Sequence, residues 1–242
     1  MVAAGVAAGA ANAIAGGGSA ISFPLLVLVG LPPVAANASN AVGLVPGAVA
    51  ASWSYRGELR RAERWVLWLA VPSVVGSAVG AWLLIRLPAD WFGAVAPWLV
   101  LFAALSVALE PLVRQRVGAG AGSTRGGRVV GALAWLVVAL YGGYFGAGMG
   151  MLMLTTLGLL GLHDLQHANG LKNLLSIAVK GPAVIYFVVL GLPVWPATLA
   201  LMAGAIAGGW ITGHLIQKVD ARRLRWIVAL VGAGLGLLML SR

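Results

Sequence analysis

Cysteine is absent from the 242 residues. That excludes disulfides, thiol nucleophiles and thiolate metal sites. Charge is scarce too: 9% of residues are charged, against about 25% in soluble proteins. Only six residues are acidic, and none lies deep in an apolar stretch; Glu110 and Asp220 sit at segment ends. A carboxylate proton relay and paired acid–base catalysis are therefore unsupported. There is no Ser-His-Asp order, phosphate loop or nucleotide fingerprint, so the chain does not read as an enzyme and implies no cofactor. What is present in excess is apolar surface, at 61% of residues and a mean hydropathy of +0.97. Glycine, at 35 residues, is about twice its usual ~7% share and lacks the collagen period. Small residues at this density let helices approach closely in lipid.

The formal charge of +10 invites a nucleic-acid reading. It fails on placement, because the arginines fall in short breaks between apolar runs, as cytoplasmic loops of membrane proteins do. Those runs have the length of about 20 residues that a ~30 Å hydrocarbon core demands. They lie near 2–30, 34–55, 65–85, 91–110, 129–162, 165–190, 194–217 and 224–241. Trp53, Trp65, Trp68, Trp91, Trp195 and Trp226 stand near segment ends, as interfacial anchors do. An all-α integral membrane protein follows.

Two runs are interrupted. Gly16-Gly17-Gly18-Ser19 breaks the first, and Gly142-Gly143 with Gly146-Ala147-Gly148-Met149-Gly150 breaks 129–162. Each is expected to form two half-helices, the second of each pair beginning at Ser19 and at Gly150. The breaks also correspond. Gly17-Gly18-Ser19 matches Gly148-Met149-Gly150, Gly30-Leu31-Pro32 matches Gly161-Leu162-His163, and Ala36-Asn37 with Asn40 matches Ala168-Asn169 with Lys172. The chain then reads as a first transmembrane repeat over 1–110, a basic linker over 111–128 and a second repeat over 129–242. Each repeat has about four helical segments, the first of them broken by glycines. Internal duplication is a common build of secondary transporters. A signal peptide over 2–30 is disfavoured, since no Lys or Arg precedes Arg56 and the matching segment is internal.

Charge discriminates between topologies. If all eight segments cross, Arg56, Arg60, Arg61, Arg64, Arg114, Arg116, Arg125, Arg128 and Arg242 face Arg86, Lys218, Arg222, Arg223 and Arg225: nine against five. If the two broken segments are re-entrant hairpins, Lys218, Arg222, Arg223 and Arg225 join the first eight. Only Arg86 and Arg242 then remain opposite, twelve against two. The positive-inside rule prefers the hairpins. Corresponding loops then carry opposite charge character, which makes the repeats inverted, with both termini outside the cytoplasm. Eight plain crossings in parallel repeats are the alternative.

Ionisable and amide groups inside such segments are candidate site residues. Lys172 and Lys180 share the 165–190 segment with no carboxylate of its own except Asp164 at its mouth. Lys180 is expected near mid-membrane and Lys172 nearer the interface. Snorkelling or carbonyl capping is the structural reading of both. Asn169, Lys172 and Asn173 share one helix face, as do Asn37 and Asn40. Amides and an ammonium suit the oxygens of a small oxyanion, although asparagines also serve as packing hydrogen bonds between membrane helices. The breaks add backbone N–H groups around Gly17, Gly18, Ser19, Gly148 and Gly150, at helix N-termini where anions are favoured. His163 and His167 have zinc-compatible spacing but no convincing third ligand, so no metal is expected.

The broken first segment with Pro24-Leu25-Leu26, Leu31-Pro32-Pro33 and Ala36-Asn37-Ala38-Ser39-Asn40 resembles the sulfite exporter TauE/SafE family of permeases. The second half does so too, through Gly142 to Gly150 and Ala168-Asn169-Gly170-Leu171-Lys172-Asn173. The resemblance implies transport of a small sulfur-containing anion (sulfite, a sulfonate, sulfoacetate or thiosulfate) across a bacterial inner membrane. The expected partners are that anion and the lipid bilayer, with no nucleic acid and no specified oligomer. A monoanion leaving a cell at −100 mV gains about 2.3 kcal/mol, so export is the simplest direction. The alternative is a membrane subunit or assembly partner that transports nothing.

Overall fold

The computed structural model describes residues 1–14, 16–54, 57, 68–116, 125–162, 164–215 and 221–241. Among them every regular element is helical: α1 Val2–Ile14, α2 Ser19–Leu28, α3 Pro33–Ser54, α4 Ala70–Arg86, α5 Ala89–Arg116, α6 Arg125–Tyr144, α7 Met149–Leu159, α8 Leu165–Val189, α9 Trp195–Leu215 and α10 Ala221–Leu240. Among the described residues, four stretches are long and apolar enough to cross a membrane: Pro33–Trp53, Ala89–Leu109, Gln166–Val189 and Arg223–Leu240. Large apolar side chains such as Val137, Val189 and Leu230 point outward, as a lipid-facing surface requires. Trp53, Trp68, Trp91, Trp195 and Trp226 are exposed; Trp65 lies outside the described residues.

Both glycine-broken runs divide as expected, with small shifts. The second half-helices cover Ser19–Leu28 and Met149–Leu159, shorter than the apolar runs because Gly30 and Gly161 stop them. Between the halves, α5 continues to Arg116 and α6 begins at Arg125, and 117–124 lies outside the described residues. Pro111 lies within α5 and removes one intrahelical bond, the one to Val107 O.

The helix ends repeat one another closely. Gly16 and Gly146 both have positive φ, at 67° and 76°. Each donates its N–H five residues back, to Ala11 O at 2.9 Å and to Tyr141 O at 3.0 Å. Gly30 and Gly161, at φ 98° and 100°, close α2 and α7 in one pattern. There Leu31 bonds to Leu26 O, and Leu162 to Leu157 O. Glycine is needed here because other residues pay a steric penalty in the left-handed region.

Contacts between halves set the packing. α1 lies against α9 and α4 against α6. Both pairs run parallel: Gly204 meets Val2 and Gly208 meets Val6, while Gly76 meets Leu136 and Gly80 meets Leu140. α3 is parallel to α9 as well, with Gly43 on Leu201 and Gly47 on Ala205. Glycine on these faces brings backbones into contact, the packing mode available where lipid removes hydrophobic drive. Where α4 meets α6, Trp135 is fully buried and its indole N–H donates to Ser73 Oγ at 2.8 Å.

Candidate functional site

The two glycine breaks meet at the centre. Gly150 N–H donates to Gly16 O at 3.3 Å, and a Cβ on either glycine would fall inside the van der Waals shell of the other's Cα. Beside this crossing is a cavity of about 20 Å³, room for a water molecule and too small for a polyatomic ion. The breaks and half-helices contribute Asn12, Gly16, Gly146, Met149 and Gly150 to its wall. α3 contributes Ala48, and α8 contributes Lys172, Asn173, Ser176 and Lys180.

The lysines of α8 differ in what holds them. Lys172 is 1% exposed, and its ammonium donates to Asn12 O at 3.0 Å and Ala13 O at 3.5 Å. These carbonyls belong to the last turn of α1, at the negative pole of the helix dipole, and Asn12 O also accepts a longer bond from Gly16 N at 3.3 Å. Lys172 is thus buried against the end of a half-helix that stops inside the protein. Lys180, two turns on, is 7% exposed and lines the cavity. It makes no hydrogen bond or ion pair among the described residues. Asn173, 3% exposed, lines the same cavity with its Nδ2 unpartnered. Ser176 donates to Lys172 O at 2.7 Å and keeps its oxygen lone pairs. An ammonium and an amide N–H₂, both buried and both unspent, make this a donor-rich pocket in a region short of carboxylates.

The remaining candidates lie off the cavity. Asn37 donates Nδ2 to Tyr144 O at 3.0 Å, capping α6 as Lys172 caps α1. Asn40 Oδ1 accepts from Ser22 Oγ at 2.5 Å, tying α2 to α3. Asn169 is buried with Oδ1 unpartnered. Gly17, Ser19 and Gly148 are buried but outside the lining. The Gly18 amide is spent on Asn12 Oδ1 at 2.9 Å and that of Gly150 on Gly16 O. The break glycines serve close packing: a Cβ on Gly18 would strike Ala8 O, and one on Gly148, at φ 70°, would come within 2.9 Å of Ala103 Cα. Asp164 is spent as the N-cap of α8, accepting from Gln166 N at 2.9 Å, and His163 lies outside the described residues.

Sequence reasoning missed Asn12, Ala48 and Ser176. Asn12 did carry a signal, as the single polar side chain among residues 2–15. Ala48 and Ser176 carried none, because alanine and serine are common in any tightly packed membrane helix.

These features define a multi-pass helical membrane protein with a small donor-lined cavity at the junction of its two broken segments. The chain belongs to the sulfite exporter TauE/SafE family, whose model matches residues 1–239, and it is a membrane transporter rather than an enzyme. It is similar to a probable membrane transporter protein of Haemophilus influenzae, 26% identical over 91% of this chain and 85% of that one. It is similar also to the probable membrane transporter protein ORF9 of a Sinorhizobium species, at 25% over 97% and 88%. A third relative is the probable membrane transporter protein YfcA of Escherichia coli, at 25% over 93% and 83%. No solved structure matches the chain.

Proposed function

We propose that this transporter exports a small sulfur-containing anion across the inner membrane, with Lys180 as the counter-charge and Asn173 as the orienting donor. The carrying observation is the pair of unspent buried donors on one cavity wall, where among the described residues the lining carries positive formal charge and no carboxylate. Gly16 and Gly150 let backbone approach the guest closely. Lys172, with the amides Asn37, Asn40 and Asn169, shapes the surroundings. The void is smaller than such an anion, so loading requires the halves to separate, as alternating access by rocking repeats does.

Two inverted repeats, 1–110 and 129–242, joined through 111–128, provide that motion. The parallel register of α1 and α3 with a common neighbour, α9, supports a hairpin for 2–30. A continuous crossing there would make α3 antiparallel to α1. Both termini then lie outside the cytoplasm, and a reporter fused after Arg242 that fluoresces only in the cytoplasm stays dark; a bright fusion returns the chain to eight plain crossings. The function itself is tested in liposomes holding the purified chain, loaded with sulfite, sulfoacetate or thiosulfate. Efflux driven by an inside-negative potential is expected for at least one, and is lost in Lys180→Met. Failure of the whole panel in wild-type protein rejects the substrate class.

A further inference from the structure

We propose that Lys172 is a positioning residue that latches the empty carrier, holding the first hairpin to the second half until an anion draws its ammonium away. This rests on the transport reading above but concerns a different group from the anion's counter-charge.

The geometry points to a latch because the bond is crossed between halves. Lys172 belongs to α8 and grips Asn12 O and Ala13 O at the end of α1. Asn37 belongs to α3 and grips Tyr144 O at the end of α6. Each half-helix end is therefore held by the long helix of the other half. The two latches differ in charge: a neutral amide holds one hairpin, an ammonium the other. Lys172 also lines the cavity, so its ammonium stands between the carbonyl end of α1 and the space a guest enters. Carbonyl oxygens carry partial charge, whereas an oxyanion carries a full one and accepts stronger, charge-assisted bonds. An anion beside Lys180 competes for the Lys172 N–H groups and weakens the tie to α1. A ligand shifts such an equilibrium by as much as its interactions with the two states differ. Reorientation is then slow when the carrier is empty and faster when it is loaded.

A carrier restrained when empty exchanges anions across the membrane faster than it releases them net. In liposomes, wild-type exchange of radiolabelled sulfite should exceed net efflux by roughly tenfold or more, the population effect of one hydrogen bond to a charged group. Lys172→Met should bring the two fluxes close together. Lys172→Arg, which keeps a charged donor, should restore the difference. A merely structural role lowers both fluxes in proportion and leaves their ratio alone. Equal exchange and net efflux in wild-type protein overturns the latch without any variant.

A second readout needs no substrate. The chain lacks cysteine, so Ala48→Cys places a single thiol in the cavity wall. Without anion, Lys172→Met should raise its labelling by a neutral maleimide roughly tenfold as the hairpin loosens. Lys180→Met, which loses a nearby cation and keeps the latch, measures how far loss of thiolate character lowers labelling, and the Lys172→Met rate is corrected by it. Unchanged labelling overturns the latch even if sulfite proves not to be the substrate, whereas increased labelling with no sulfite flux leaves the latch standing and rejects the proposed cargo.

Discussion

α3 and α8 stand at like places in the two halves, and their differences are instructive. In the register that sets Ala36-Asn37 on Ala168-Asn169, Asn40 falls on Lys172 and Ala48 on Lys180. The backbone devices around them agree, from the positive-φ glycines that end the half-helices to the crossed caps on Asn12 and Tyr144 carbonyls. The charges do not agree, because both ammonium groups come from α8. Ala48 and Lys180 line one cavity, so α8 gives its wall an ammonium where α3 gives a methyl group. Similar architecture builds the cavity, and one half alone makes it electropositive.

The sharpest break of this comparison is where the two glycine breaks meet. Gly16→Val combines a left-handed φ with collision against Gly150 and is expected to cost more than about 4 kcal/mol, abolishing a monodisperse peak in detergent. Next is Lys180→Met, which removes the unspent cation and should weaken anion binding by roughly tenfold to a hundredfold, read by titration calorimetry. Its melting temperature should hold or rise, because a buried charge has been replaced by an apolar chain. A lower melting temperature with intact binding assigns Lys180 to structure instead.

Smaller effects sharpen the comparison. Asn37→Leu strips the cap from Tyr144 O and should destabilise by about 1–3 kcal/mol, the cost of an orphaned buried acceptor; a melt unchanged from wild type would mean the neutral latch carries no weight. Ala48→Lys restores charge symmetry across the cavity. It should shift preference toward the dianion sulfoacetate over monoanions by about tenfold, in competition binding. Gly161→Ala faces open space at φ 100° and should cost only about 1 kcal/mol, which separates strained glycines that punctuate helices from those at the hairpin crossing.

The sequence by itself determined the class, the segments and the two breaks. Those depend on local quantities: hydropathy over about 20 residues and glycine clusters within single runs. It also identified α8 as the charged element, since lysines in an apolar run are conspicuous. Which donors remain available for a guest was decided by tertiary structure. The Gly18 amide looked free and is taken by Asn12; Lys172 looked available to an anion and is held as a helix cap. The reason is distance along the chain. Lys172 and Asn12 are 160 residues apart, and Asn37 and Tyr144 are 107 apart. A hydrogen bond is satisfied by whichever partner the fold brings within about 3 Å, and no local pattern records that choice.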